Sequence, residues 1–131
     1  MKRLARRFDR VLVDAPCTGT GTWRRNPDAR LRLTEQDLQE LMAKQKEILD
    51  LAARLVRNGG KLIYATCSLL YEENEAQMAW LRHRHPDFVQ VPLRRAWEGV
   101  PTEMCELDAM LLTPARNGTD GFFACVLEHA A

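Results

Sequence analysis

The amino-acid sequence predicts an α/β fold in which parallel strands are joined by crossover helices and the chain ends in an antiparallel strand pair. Three observations support it. Two short apolar segments have the composition of buried strands, a long amphipathic segment separates them, and two further apolar runs lie close together near residue 127. The 131 residues suit one domain, and 46% hydrophobic with 28% charged residues is the balance of a soluble globular protein.

The first predicted element is a buried strand that ends near Asp14. Residues 11–13 are apolar and partly β-branched, and Asp14 and Pro16 close the run. A small, glycine-rich loop follows over residues 17–23, and residues 24–28 continue it with a turn signal.

A long helix is predicted next. Residues 34–37, Thr-Glu-Gln-Asp, resemble a capping box with a shorter acid in its fourth position. Apart from a polar break at Gln45, apolar residues recur at spacings of three and four: Leu38, Leu41, Ile48, Ala52 and Leu55. Residues 58–60, Asn-Gly-Gly, are expected to end the helix, because glycine accepts a left-handed cap. Residues 61–68 then form a second buried strand, which completes a βαβ unit.

The second half of the chain is predicted to hold one more helix and three short strands. The helix runs from about Glu72 to Arg84, with Ala76, Ala79, Trp80 and Leu81 facing inward. Strands are expected at 88–93, 110–113 and 122–127, while residues 94–108 receive no assignment. The link over 114–121 is short and polar, which favours antiparallel pairing of the last two strands.

The charge is divided unevenly along the chain, although the net charge is only +1. Residues 1–65 hold 14 Lys and Arg against 8 Asp and Glu, whereas residues 66–131 hold 5 against 10. The basic half permits a polyanionic partner such as nucleic acid, and a solvated, charge-mixed surface is the simpler alternative. No apolar run reaches the roughly 18 residues of a membrane span, and no secretory signal is expected.

Four cysteines lie at positions 17, 67, 105 and 125, without a C-x-x-C pair or a zinc-like spacing. They are interpreted as free thiols in a reducing cytoplasm. Cys17 and Cys67 each follow a predicted parallel strand, so both are expected at the sheet edge where ligands of open α/β sheets bind. Cys105 and Cys125 are interpreted as small buried apolar residues.

Three segments carry specific motifs. Residues 14–21 are D-A-P-C-T-G-T-G, residues 66–69 are T-C-S-L with E-N-E at 73–75, and residues 119–123 are T-D-G-F-F. In the same order, they resemble motifs of the RsmB/Nop/Sun-type RNA 5-methylcytosine methyltransferases. The likeness runs from about Phe8 to Leu127 and implies the Rossmann-like fold of class I methyltransferases that use S-adenosylmethionine.

The resemblance implies methylation of cytosine C5 in RNA, with ribosomal RNA as the expected substrate. Cys67 would be the nucleophile that adds to C6, and Cys17 would assist the elimination that frees the product. Asp14 would line the cleft between cofactor and base and hold one or both by hydrogen bonds. A thiolate suits such an attack, and the base must leave its stack to expose C6. Arg24 and Arg25 would bind RNA, and simple solvation of their loop is equally open.

The cofactor site predicted from the resemblance is incomplete. The family's glycine-rich turn, D-x-C-A-A-P-G-G-K-T, has no counterpart here. Residues 1–131 are therefore expected to be the C-terminal part of one catalytic domain, without its N-terminal cofactor-binding part and with little activity alone. Such a half-sheet exposes an edge, where self-association or pairing with an N-terminal fragment is expected.

Two other functions stay open at this point. A non-catalytic RNA-binding or assembly module would keep the motifs and bind RNA in a salt-sensitive way without a covalent adduct. A thiol redox protein would use Cys17 and Cys67, although the chain lacks a C-x-x-C motif. Residues 73–75 either orient the Cys67 loop or cap the following helix, and the cap is the favoured interpretation.

Overall fold

Six strands form one mixed sheet in the computed structural model, which describes residues 2–130. The strands are β1 (Phe8–Asp14), β2 (Val56–Thr66), β3 (Phe88–Val91), β4 (Cys105–Glu106), β5 (Ala109–Leu112) and β6 (Phe122–His129). The α-helices are α1 (Pro27–Arg32), α2 (Glu35–Ala53), α3 (Glu75–Arg84), α4 (Leu93–Ala96) and α5 (Pro114–Asn117). Single 3-10 turns lie at Lys2–Leu4, Thr20–Thr22, Tyr71–Glu73 and Thr102–Met104.

The strand order is β1-β2-β6-β5-β4, and β3 also pairs with β6. β1 and β2 are parallel and α2 connects them, which confirms the predicted βαβ unit. β5 and β6 are antiparallel, as their short connection predicted, with Met110 opposite Ala124. The carboxyl ends of β1 and β2 therefore lie side by side, and the loops that leave them start from neighbouring points.

The start of α2 confirms the predicted capping box. The Thr34 hydroxyl accepts a hydrogen bond from the Asp37 backbone N–H at 3.1 Å, and the Asp37 carboxylate accepts one from the Thr34 backbone N–H at 3.0 Å. Aspartate is one methylene shorter than the usual glutamate, yet it closes the box. Local chemistry thus fixes the first turn of this helix.

The predicted helix end at residues 58–60 is wrong. α2 ends at Ala53, and these residues lie inside β2, which begins at Val56. The register with β1 jumps between its residues 8 and 10, so the two glycines form a bulge. Gly59 has a φ of +77°, a left-handed conformation that glycine adopts at no steric cost. The conformational freedom of glycine, which suggested a helix cap in the sequence, instead allows the bulge in β2.

The inward face of α3 was predicted only in part. Leu81 is fully buried and Trp80 packs against the core, as predicted. Ala79, in contrast, is exposed, and Gln77 and Met78 are buried in addition. Gln77 is buried because its amide donates hydrogen bonds to the Met42 carbonyl and to the Gln45 side chain, both at 2.9 Å. The hydrogen bond between Gln77 and Gln45 thus holds α3 against α2. A pattern of apolar residues could not have predicted this polar contact.

The third strand is shorter than predicted, and the segment after it is partly ordered. β3 ends at Val91 because Pro92 has no N–H for the ladder and Leu93 already begins α4. Residues 94–108, which received no assignment, contain the rest of α4, a 3-10 turn and β4. Within residues 2–130, no helix is both long and apolar enough to cross a membrane.

The hydrophobic core lies between the sheet and the helices α2 and α3. Its fully buried side chains include Leu49, Val56, Leu62, Tyr64, Leu81 and Leu127. β1, in contrast, pairs with β2 and with no other strand among the described residues. Leu12 on β1 is 67% exposed, and Phe8 is 42% exposed. The strand predicted to be buried is therefore mostly exposed at the open edge of the sheet, where residues 11–13 are apolar and Asp9, Arg10 and Asp14 are charged.

Candidate active site

The loops after β1 and β2 bring Cys17 and Cys67 together. The two sulfur atoms are 3.3 Å apart, and both residues are half-buried free thiols. Their strands are parallel neighbours, so the expected meeting of the thiols at one edge of the sheet is observed. Cys125 is buried in the core as interpreted from the sequence, whereas Cys105 is only half-buried.

The Cys17 thiol holds its proton more tightly than an ordinary cysteine does. Burial raises the pKa of the Cys17 thiol to about 12, and its hydrogen bond with Cys67 adds to the rise. Either sulfur can donate in this hydrogen bond. The arrangement places a protonated thiol beside the Cys67 sulfur, which can act as a nucleophile once it is ionised.

The segment after Cys67 ties the site together, and its predicted role as a helix cap is wrong. The side chain of Asn74 makes no capping hydrogen bond to α3. Its oxygen accepts a hydrogen bond from the Thr66 hydroxyl at 2.6 Å, and its amide donates to the Ser68 carbonyl at 2.8 Å. Glu73 is fully buried and bonds to residues beside both cysteines. The alternative role, orientation of the Cys67 loop, is the one that the geometry supports.

Two glycines let the three motif segments touch. The Gly121 N–H donates to the Gly21 carbonyl at 2.7 Å, and the Gly21 N–H donates to the Cys67 carbonyl at 2.9 Å. A Cβ on Gly21 would overlap the Gly121 carbonyl group, and one on Gly121 would lie 2.6 Å from the Leu69 side chain. The absence of side chains thus serves contact between backbone segments.

Arg24 and Arg25 lie on the exposed side of this junction. Arg25 pairs with the Asp120 carboxylate at 2.7 Å, and Arg24 pairs with it at 3.5 Å. Both side chains are at least half exposed. The predicted RNA contacts of these arginines stay a prediction, and Asp120 of the third motif is their partner in this structure.

Asp14 is the last residue of β1 and is exposed. It lines a groove of about 370 Å³ between β1 and α2, whose other lining residues are Val11, Leu12, Val13, Ile48, Leu51, Ala52 and Leu55. The groove offers one carboxylate beside an apolar surface. A carboxylate beside apolar side chains suits one side of a ligand that has hydroxyl or amino groups and an apolar ring.

The solved structures that resemble this chain include methyltransferases. NSun6 from Pyrococcus horikoshii, solved with SFG, is 26% identical with a TM-score of 0.73, covering 92% of this chain and 29% of that one. A methyltransferase homolog from Pyrococcus horikoshii is 31% identical with a TM-score of 0.69, covering 92% and 39%. The crystal structure of PH0851 gives 41% identity and a TM-score of 0.84, covering 95% and 27%. The fold is therefore that of the Rossmann-like methyltransferases.

Sequence comparison defines the family. The profile of the family described as 16S rRNA methyltransferase RsmB/F matches residues 1–128. Ribosomal RNA small subunit methyltransferase F of Escherichia coli K12 is 39% identical over 122 residues, and its counterpart in Escherichia fergusonii is 38% identical. The chain belongs to the RsmB/F methyltransferase family. The matches cover 92% of this chain but only 26% of each relative, so it spans about a quarter of their length.

Proposed function

We propose that this chain carries the nucleophile of an enzyme that methylates cytosine C5 in ribosomal RNA. The observation that carries the proposal is the thiol pair, in which the Cys17 and Cys67 sulfur atoms lie 3.3 Å apart. The pair lies where the carboxyl ends of two parallel strands meet, in a member of a ribosomal RNA methyltransferase family. The chain spans a quarter of its relatives, so the activity is proposed for the enzyme that contains this part.

The chemistry assigns a separate role to each cysteine. The Cys67 thiolate adds to C6 of the cytosine, and the C5–C6 double bond supplies electrons that make C5 the nucleophile. After the methyl group has reached C5, the C5 proton passes to solvent water, the electrons of the C5–H bond re-form the C5–C6 double bond, and the C6–S bond breaks to release Cys67 as a thiolate. Cys17 assists this elimination from its position beside the Cys67 sulfur.

S-adenosylmethionine is the proposed cofactor, and it supplies the methyl group from its sulfonium centre. The structure of NSun6 with SFG, an analogue of S-adenosylmethionine, supports this choice. Asp14 is the residue of this chain that would hold the cofactor or the base, since it is the carboxylate in the groove at the end of β1. This groove provides one side of the cofactor site, and we propose that the rest comes from the cofactor-binding part of the domain.

Ribosomal RNA as substrate requires a cytosine that is single-stranded or flipped out of its helix. The exposed guanidinium groups of Arg24 and Arg25 are the proposed phosphate contacts, because they flank the loop that carries Cys17. Binding there exchanges their ion pairs with Asp120 for pairs with phosphate. A ribosomal RNA substrate also fits a cytoplasmic location, which we propose with it.

The open edge of β1 is the proposed pairing site for another strand. It is apolar over residues 11–13, exposed at Leu12, and bordered by the groove against α2. The curated relatives are about four times as long as the matched region, which supports a strand from the cofactor-binding part as its occupant. A second copy of this chain takes that place when the cofactor-binding part is absent.

Covalent trapping tests the proposed reaction. The chain is incubated with S-adenosylmethionine and ribosomal RNA containing 5-fluorocytidine, alone and with a fragment of a relative that carries the glycine-rich cofactor turn. Fluorine at C5 cannot leave as the proton does, so the elimination stops and the RNA stays bound to Cys67. We expect a denaturation-resistant adduct in the mixture, none with Cys67→Ala, and an unchanged yield with the control Cys105→Ala.

Two results would contradict the proposal. One is an adduct that maps to a residue other than Cys67. The other is salt-sensitive RNA binding without any adduct, although calorimetry shows that the mixture binds S-adenosylmethionine; that result would favour a non-catalytic RNA-binding module. Binding of the cofactor by this chain alone would overturn the incomplete-site interpretation.

A further inference from the structure

We propose that Glu73 is a positioning residue that holds the Cys17 loop and the Cys67 loop at a fixed separation. The inference deepens the proposed function and rests on it for its catalytic meaning, whereas the geometric claim stands separately. Glu73 is 0% exposed and lies in the 3-10 turn before α3. A buried carboxylate is costly unless several donors satisfy it, so its surroundings indicate what it does.

Four hydrogen bonds reach the two carboxylate oxygens of Glu73. The Thr18 N–H donates to Oε1 at 2.8 Å, and the Gln45 amide donates to the same atom at 3.1 Å. The Thr18 hydroxyl donates to Oε2 at 2.7 Å, and the Ser68 hydroxyl donates to Oε2 as well. All four partners donate to a carboxylate oxygen of Glu73, and hydrogen bonds to a carboxylate are the stronger kind.

The partners of Glu73 are direct neighbours of the two cysteines. Thr18 follows Cys17 and Ser68 follows Cys67, so one carboxylate joins the two loops one residue away from each sulfur. Thr18 and Glu73 are 55 positions apart in the sequence. The separation of the sulfur atoms therefore depends on a side chain that touches neither of them.

Two further contacts fix the backbone of Glu73 and its partner Gln45. The Tyr64 hydroxyl of β2 donates to the Glu73 backbone carbonyl at 2.7 Å. The Gln45 amide, which donates to Glu73, also donates to the Pro16 carbonyl at 2.9 Å. Gln45 is the polar break in the apolar stripe of α2, and it is 0% exposed. The clamp is thus anchored to the strand below it and to the long helix beside it.

The test measures the distance between the sulfurs through their chemistry and needs neither RNA nor cofactor. Diamide oxidises the two thiols to a Cys17–Cys67 disulfide, is itself reduced to the hydrazine, and takes up both protons. Non-reducing peptide mapping of the disulfide at successive times gives the rate. We expect Glu73→Gln to slow this closure about tenfold or more, because the neutral amide replaces the carboxylate's hydrogen bonds with weaker ones and the loops separate.

Matched variants separate positioning from stability. Glu72→Gln and Glu75→Gln remove exposed carboxylates on either side and should leave the rate unchanged. Leu81→Ala removes a buried core side chain and should lower the melting temperature without slowing closure in the folded protein. Circular dichroism confirms that each variant is folded at the temperature of the assay.

Ser68→Ala and Thr18→Val keep the test decisive if Glu73→Gln does not fold. Each removes one hydroxyl donor of the clamp, and each should slow closure several-fold with the fold intact. A folded Glu73→Gln protein that closes the disulfide at the wild-type rate would overturn the proposal. So would wild-type rates in both hydroxyl variants. Because the assay involves no methyl transfer, a failure of the proposed reaction would leave these outcomes unchanged.

Discussion

Gly21 and Gly121 set how closely the three motif segments approach one another. Their backbones are hydrogen-bonded at 2.7 Å, so there is no room for a side chain on either residue. The second glycine of the loop after Cys17 thus admits the close approach of another backbone segment. At the residue scale, the strictest steric requirement of the site is therefore one between protein segments.

Gly121→Ala is predicted to destabilise the fold by about 1–3 kcal/mol, the usual cost of forcing an extra methyl group into a packed contact. The new Cβ would lie 2.6 Å from the Leu69 side chain and the Gly21 backbone, so the Cys67 loop must shift. Urea unfolding at neutral pH measures the change. Thr119→Ala, an exposed neighbour, is the control; an equal loss in both variants would contradict the steric explanation.

The sequence predicted the places of the candidate site residues but not what supports them. That Cys17, Cys67 and Asp14 lie at the ends of β1 and β2 could be predicted because short motifs carry them, each after a recognisable strand. The role of Glu73 could not, since Thr18 comes from 55 positions away and any local pattern makes an acid before a helix look like a cap. The one available signal was Gln45, a polar residue that interrupts an apolar helix face.

At the scale of elements, local chemistry predicted how helices begin better than how they end. The capping box of α2 lies within four adjacent residues, and it was recognised correctly. Its C-terminal boundary depends on β2, whose pairing with β1 already starts at Val56 and takes residues 58–60 into a bulged strand. A glycine pair has the same sequence signature in both roles, so only the tertiary pairing distinguishes them.

The open edge of β1 is predicted to make the isolated chain self-associate in a concentration-dependent way. Leu12→Lys should weaken that association, because charge on an exposed edge strand opposes pairing with another strand. Sedimentation velocity over a range of protein concentrations measures the effect. Leu31→Lys, at a leucine on α1 that is 85% exposed, is the control. A wild-type chain that stays monomeric throughout would contradict the prediction.

For the molecule as a whole, the βαβ unit and the antiparallel last pair followed from the sequence. The pairing of β6 with β2 and β3 and the excursion over residues 94–108 did not. The strand, helix, strand order and the short last connection are local signals with few topological solutions. The excursion is shaped by distant contacts, such as the Leu93 N–H that donates to the Asp108 carbonyl at 2.9 Å. Arg116 of α5 likewise bonds to Glu106 of β4 at 2.6 Å. Such pairings produce no periodic pattern in the sequence, so they could not be predicted from it.

Stability of the whole molecule is predicted to fall as the pH rises from about 9 to 12. Burial raises the pKa of the Cys125 thiol from 9.0 to about 12, so the unfolded chain loses this proton first. The thiol contributes its full stability below pH 9 and loses it as the pH approaches 12, at about 1.4 kcal/mol per pH unit. Cys17 acts in the same direction.

Urea unfolding under reducing conditions at several pH values measures this dependence. Cys125→Ala should start less stable at pH 7, because it leaves a small cavity, and should show a shallower decline above pH 9. Other groups that titrate in this range are shared by both proteins, so the difference isolates the thiol. Parallel profiles for the wild type and Cys125→Ala would contradict the assignment.

The close backbone contact between Gly21 and Gly121 also limits how this sequence can change during evolution. An ion pair such as Arg116 and Glu106 can drift, because a charge lost on one side can be recovered by a change on the other. Where Gly21 and Gly121 meet, neither residue can be replaced by a smaller one. A side chain gained on one segment therefore has no compensating substitution on the other. A substitution at either glycine requires a change in the path of a whole loop. We therefore expect these two positions to change slowly.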